Sequence, residues 1–177
     1  MQQLSLSTAQ GFIEVENQGN EEVSLSLMLS RTPSANEDVK AIANGVEIDV
    51  QYADLKGNAI TIDKLQQGEE LLAKIRVKKT NDSSPSMALT YAVPSGWEIW
   101  NERLTGGEES QGATYTDIRD SSISWYFAIE QGQTKEFAVR LRAAYGGQFV
   151  LPPTICEDMY NPSCRANTAN GLTIVVR

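Results

Sequence analysis

The chain has 177 residues, enough for one domain, or one domain with a fragment of a second, to bury a core without disulfides or metals. Its 41% hydrophobic and 21% charged residues describe a globular protein, and a net charge of −8 excludes the basic footprint of a nucleic-acid binder. No run approaches the roughly 20 apolar residues that span a bilayer, so no transmembrane segment is expected.

The opening residues, MQQLSLSTAQGF, have neither the basic flank nor the apolar stretch of a signal peptide, which predicts a cytoplasmic protein or an excised piece of a larger one. Phe12 to Glu16 and Val23 to Leu29 come next as a strand pair, joined by Asn17-Gln18-Gly19-Asn20, a link with hairpin-turn chemistry. Residues 30–45 are polar and irregular and are expected to be a linker. Period-two alternation then predicts strands through Val46, Ile48, Val50 and Tyr52, through Ala73, Ile75 and Val77, and through Met87, Leu89, Tyr91 and Val93. The same alternation continues through Ile123, Trp125, Phe127 and Ile129, and through Phe137, Val139, Leu141 and Ala143. Turn chemistry falls between runs at 54–58, 130–133 and Gly146-Gly147, and Leu172 to Val176 is a last strand.

No segment repeats apolar residues at helical spacing for three turns, which predicts an all-β fold. The expected architecture is a two-sheet antiparallel β-sandwich, immunoglobulin-like. The immunoglobulin pattern of two cysteines around a core tryptophan is absent, because Cys156 and Cys164 lie together near the end.

Catalysis has little to work with. The chain has no histidine, which removes the commonest general base near neutral pH and the commonest metal ligand. Two cysteines without histidine fall short of a structural zinc site, no glycine loop matches a phosphate cradle, and Asn36-Glu37-Asp38 lacks the spacing of a calcium loop. The carboxylate neighbours Glu108-Glu109 and Glu157-Asp158 are what 23 acidic residues produce by chance and are expected on solvated surface. No enzyme activity, metal or cofactor is expected. A rival reading makes Trp97, Trp100 and Trp125 a sugar-stacking platform of a carbohydrate-binding or cell-surface adhesion module. Against it, Trp125 shares the register of Ile123 and Phe127, and Trp97 opens a strand after Pro94-Ser95-Gly96.

The stretch LPPTICEDMYNPSCRAN, 151–167, departs from the strand rhythm. Pro152 and Pro153 cannot donate ladder hydrogen bonds, so they are expected to end pairing and aim the next residues away from the sheet as a projecting loop. Cys156 and Cys164 bracket that loop at a spacing suited to a disulfide staple, worth about 2.5 kcal/mol of loop closure. The staple implies an oxidising compartment; two unpaired buried thiols would fit a cytoplasm. Met159 and Tyr160 are then an apolar pair held on the loop, or a plug folded back onto one end of the sandwich.

Three ordered stretches, YAVPSGWEIWNERL at 91–104, YTDIRDSSISWYF at 115–127 and CEDMYNPSCRANTANG at 156–171, resemble the C-terminal macroglobulin-like domain of bacterial alpha-2-macroglobulins. The residues that carry the resemblance are Pro94, Gly96, Trp97, Glu98 and Ile99, then Arg119 and Asp120, then Glu157, Asp158, Met159, Tyr160, Arg165, Thr168 and Gly171. FIEVENQGNEEVSLSL is similar to the strand pair that returns from the family's thioester-bearing domain. This implies that residues 1–32 are that pair and 33–177 the macroglobulin-like sandwich. It further implies a periplasmic or envelope-associated protease trap, possessing a bait region and a buried thioester that couples to the attacking protease. The implied partners of this non-catalytic piece, itself expected to be monomeric, are other domains of its parent chain and, through them, proteases. The family's thioester motif is not matched by Cys156-Glu157-Asp158-Met159, since Met stands where it needs Gln. By resemblance, Glu157, Asp158, Met159 and Tyr160 form a loop that shields the thioester of a neighbouring domain, supported by Pro152, Pro153, Arg165 and Thr168.

Overall fold

In a computed structural model of the chain, the residues described are 14–24, 26, 38–100 and 112–176. The chain divides into two compact units, Met1–Ala35 and Asn36–Arg177. In the first, the Asn17 side chain makes the expected turn: its Oδ1 accepts from Gly19 N–H at 3.0 Å and its amide donates to Glu21 O at 2.7 Å. The described residues flanking this turn are not in strands, and the outer parts of the expected pair, 12–13 and 27–29, lie outside the described residues.

The second unit is built of strands β1 (Ile42–Asn44), β2 (Val46–Ala53), β3 (Lys64–Gln66), β4 (Glu70–Lys79), β5 (Ser86–Ala92), β6 (Trp97–Ile99) and β7 (Tyr115–Ile118). They continue as β8 (Ser122–Ala128), β9 (Thr134–Ala143), β10 (Gly147–Leu151), β11 (Ile155–Asp158), β12 (Arg165–Asn167) and β13 (Gly171–Val176). A six-stranded sheet in the order β1-β12-β11-β5-β8-β7 faces a four-stranded sheet, β2-β4-β9-β6. A third sheet, β10-β13-β3, adds Leu65 and Val175 to the same core, and its β13–β3 pair is parallel. The fold is thus the expected all-β sandwich with a small extra sheet.

Alternation decides which side chains meet. Leu71, Ala73, Ile75 and Val77 of β4 and Phe137, Val139 and Leu141 of β9 turn inward from one sheet, and Met87, Leu89, Tyr91, Ile123, Trp125 and Phe127 from the other. Phe137 closes the gap between the sheets, its ring centroid 5.3 Å from Trp125 and 4.8 Å from Phe127. The two outer faces differ. The four-stranded sheet is laced with charge, the register setting Asp49 beside Arg76 beside Glu136 and Glu47 beside Lys78. The centre of the six-stranded sheet is less charged outward: Thr90 of β5 pairs with Ser124 of β8, while Ala88 lies between Tyr126 of β8 and the exposed Glu157 of β11.

Two expectations need correction. Part of the stretch expected as linker, 30–45, is strand: Ile42, Ala43 and Asn44 pair with β12, and Val39 N–H donates to Asn170 Oδ1 at 3.0 Å. A polar segment has no alternation of its own and becomes a strand here because a partner edge offers it hydrogen bonds. The projecting loop of 151–167 is likewise mostly strand. Pro152 and Pro153 do end pairing, but they carry the chain from β10 in one sheet to β11 in another, where it forms a hairpin with β12. Thr154, Cys156 and Asp158 face inward and Ile155 and Glu157 outward, so the alternation is present but written in polar residues.

Candidate functional site

The β11–β12 turn, residues 159–164, sits at one end of the sandwich. Met159 is 51% exposed and Tyr160 75%, so neither plugs the core. Beneath them Asp158 is buried and points the opposite way, as the next step of the alternation requires. Its Oδ1 accepts from Tyr160 N–H at 2.9 Å and Asn161 N–H at 3.1 Å, and its Oδ2 accepts from the Ser83 hydroxyl at 2.9 Å. The Lys79 ammonium lies 3.7 Å from Oδ2, both side chains fully buried. Burial by itself raises the Asp158 carboxyl. The hydrogen bonds from Tyr160, Ser83 and Asn161, with the Lys79 charge, outweigh it and hold the carboxyl below the usual carboxylate range.

The turn is tied on its other sides too. Asp158 N–H donates to Cys164 O, Cys164 N–H to Asn161 O and Met159 N–H to Ser86 O on β5, at 2.9 to 3.0 Å. The Asn44 amide donates to Ser163 O at 2.7 Å from the β1–β2 turn. That turn needs Gly45: φ is +74°, and a Cβ would lie 2.3 Å from the Asn81 amide nitrogen and 3.0 Å from Cys164 Sγ.

The expected Cys156–Cys164 disulfide is absent; both are free, buried thiols. Cys156 lies on the inward row of β11, and burial, then neighbouring Cys164, pushes its thiol up to about 12. Its role here is that of a small core side chain, and hydrogen bonds close the turn that the staple was expected to close. Glu157 and Arg165 are exposed cross-strand partners on the outer face. Thr168 braces the hairpin base, its hydroxyl accepting from Thr154 N–H at 2.9 Å. Pro152 and Thr168 line a groove of about 1030 Å³ with Ile42, Ile48, Val50 and Tyr52, a wall of the fold in which Met159 and Tyr160 take no part.

The tryptophans form no platform. Trp125 and Trp97 are buried, 0% and 3% exposed, and only Trp100 reaches the surface, with the Arg140 guanidinium 4.7 Å from its ring centre. Close contact requires the glycine before Trp97: a Cβ on Gly96 would lie 2.1 Å from the Phe149 ring. Arg119 and Asp120 are exposed, Arg119 paired to Asp117 at 2.8 Å.

Lys79 and Ser83 escaped the sequence reading. The signal was there: Ala73, Ile75 and Val77 face inward, and one more step of two residues lands on Lys79. A lysine at a core position needs a buried counter-charge, and in an acidic chain the sequence does not say which carboxylate supplies it.

The family model of the bacterial alpha-2-macroglobulin MG10 domain matches residues 45–163. Alpha-2-macroglobulin of Pasteurella multocida is 27% identical over 144 residues, a match spanning 80% of this chain and 7% of that protein. For alpha-2-macroglobulin of Escherichia coli the identity is 25% over 183 residues, spanning 93% of this chain and 11% of that protein. The chain thus matches about a tenth or less of the length of these curated relatives. The crystal structure of Salmonella alpha-2-macroglobulin reacted with methylamine shares the fold at TM-score 0.70 and 24% identity, over 80% of this chain and 10% of that one. With the family match covering well over half of its residues, the chain belongs to the bacterial alpha-2-macroglobulin MG10 domain family.

Proposed function

We propose that this chain is a non-catalytic, C-terminal domain of a bacterial alpha-2-macroglobulin-like protease trap, and that its Met159–Tyr160 loop shields the internal thioester of a neighbouring domain until bait cleavage. The observation that carries the reading is the exposure of Met159 and Tyr160 on a turn whose backbone is fastened from below. Side chains left half or more exposed by their own domain are free to cover something in another. An activated acyl group survives in water only where attack is excluded, and Met beside Tyr offers a polarisable apolar cover with one polar tip.

A further observation supports a covered face. Met159 is bonded to the first residue of β5, whose outward Thr90, paired with Ser124 of β8, carries no charge for another domain to desolvate, with Glu157 and Arg165 at the margin of that surface. In this reading residues 1–32 are the strand pair arriving from the thioester-bearing domain and 33–177 the macroglobulin-like domain. Its partners are those other domains and, through them, proteases, and its setting is the periplasm or cell envelope, a reading that rests on the family alone, since the free thiols of Cys156 and Cys164 remove the argument from a disulfide. Among the described residues no helix is long and apolar enough to cross a membrane.

The test is made in the full-length parent. Replacing Met159 and Tyr160 with alanine should speed the appearance of a free thiol on exposure to water or a small amine, before any protease is added. A thiol that appears no faster would sink the shielding role and leave the family assignment untouched.

A further inference from the structure

We propose that the buried Lys79–Ser83–Asp158 cluster positions the Met159–Tyr160 loop: Asp158, braced by Ser83 and Lys79, is a relay that holds the loop's backbone and so sets where the two exposed side chains point. The inference rests on the shielding reading for its purpose, but the relay itself is argued from geometry alone.

The loop's one buried side chain is Cys164 at its far end; Met159 and Tyr160 are exposed and Asn161, Pro162 and Ser163 are not buried. What fastens it is a chain of polar groups that begins inside the sandwich. The Lys79 ammonium donates to Ser83 Oγ at 2.9 Å, to Ser84 O at 2.5 Å and to Met87 Sδ at 3.5 Å, which uses its three protons. Ser83, accepting from Lys79, donates its own proton to Asp158 Oδ2 at 2.9 Å, with Asn81 Oδ1 at 3.1 Å as a second acceptor. The other oxygen of Asp158 takes the N–H groups of Tyr160 and Asn161. A continuous chain of hydrogen bonds thus runs from β4, through the β4–β5 connection, to the two backbone amides that begin the turn.

A buried ion pair is a poor device for stability alone, because an apolar pair of similar volume often does as well. It is a good device for direction. A carboxylate that accepts from two successive amides selects one backbone conformation of the turn, and a charged acceptor makes those bonds stronger than a neutral one would. The hydrogen bonds from Tyr160, Ser83 and Asn161, with a smaller contribution from the Lys79 charge, hold that carboxyl below the usual carboxylate range although burial opposes it.

Residue-resolved amide hydrogen exchange on the 177-residue chain tests the relay. In Asp158→Ala the amides of Tyr160 and Asn161 should exchange about ten-fold faster or more, while those shared by β4 and β9 change less. The neutral pair Lys79→Met with Asp158→Asn should recover part of the protection, because the introduced side-chain carbonyl can still accept from both amides. Should Asp158→Ala fail to fold, Ser83→Ala carries the test, with an increase of about two- to five-fold at the same amides. Unchanged exchange at Tyr160 and Asn161 in the variant that folds overturns the relay, whatever the parent protein does. In the parent, Ser83→Ala should also hasten the appearance of the free thiol. Loop amides released with the thiol unaffected would keep the relay and overturn the shield.

Discussion

Trp97 and Trp125 on one side and the Met159–Tyr160 turn on the other carry conspicuous apolar side chains of this chain, and the structure treats them in opposite ways. Trp97 and Trp125 lie on strands, in register with other apolar residues, and are buried. Met159 and Tyr160 lie between two strands, beyond the reach of alternation, and are exposed. An aromatic side chain on the inner row of a strand is already committed to the core. One in a turn contributes nothing to the core and is available for another surface. The buried partner of the turn is not an apolar residue at all but the Asp158–Lys79 pair.

Substitutions sharpen this contrast. Trp125→Ala should be the most damaging, destabilising the chain by about 3–5 kcal/mol in denaturant unfolding, since the ring packs on Phe137 across the sheets. A loss under about 1 kcal/mol would mean that the tryptophan is not core. Lys79→Met comes next, at about 3 kcal/mol, the low end for breaking a buried pair because Ser83 and two amides still satisfy Asp158. If Lys79→Met is neutral, the ion pair matters less to the fold than its burial suggests.

Stability should also respond to pH in two places. Asp158 is held below its unfolded value, so its contribution is present above about pH 4 and is lost as pH falls through the lower folded value. The Asp158→Asn chain should therefore show a shallower loss of stability in acid than the parent sequence. Cys156 is shifted the other way: its contribution is present below the unfolded thiol value of about 8.5 and is lost as pH rises toward about 12. A thiol reagent at pH 8 should accordingly label neither cysteine until denaturant is added, and rapid labelling of the native chain would show that the thiols are not buried.

The smallest effect is expected at the turn. Met159→Ala with Tyr160→Ala should cost the isolated chain less than about 0.5 kcal/mol, as exposed substitutions do. A loss of several kcal/mol would restore the plug reading that their exposure removes.

Each of the five apolar alternations, from Val46–Tyr52 to Phe137–Ala143, became a strand with the predicted face inward, because every second residue was plainly apolar. The β11 strand was missed because its inner row is Thr154, Cys156 and Asp158, and the β1 strand because Ile42-Ala43-Asn44 is an edge segment defined by its partner. Met159 and Tyr160 were legible as a candidate pair from their setting between cysteines and after the acidic pair. Their support was not, since Lys79 and Ser83 stand about 75 to 80 positions earlier in the chain.

By itself the sequence determined an all-β chain, the inward face of each apolar strand, the absence of histidine chemistry and the family resemblance of three ordered stretches. Those properties depend on residue type and on spacing over a few positions. Only the tertiary structure decided that the cysteines lie inside as thiols, that Pro152 and Pro153 lead from one sheet to another, and that a lysine of β4 meets an aspartate of β11 beneath the Met-Tyr turn. Each of these is a pairing between distant segments. Such a pairing is fixed by which strand edge accepts which partner and by where a buried charge can be neutralised, and neither condition is visible in local sequence.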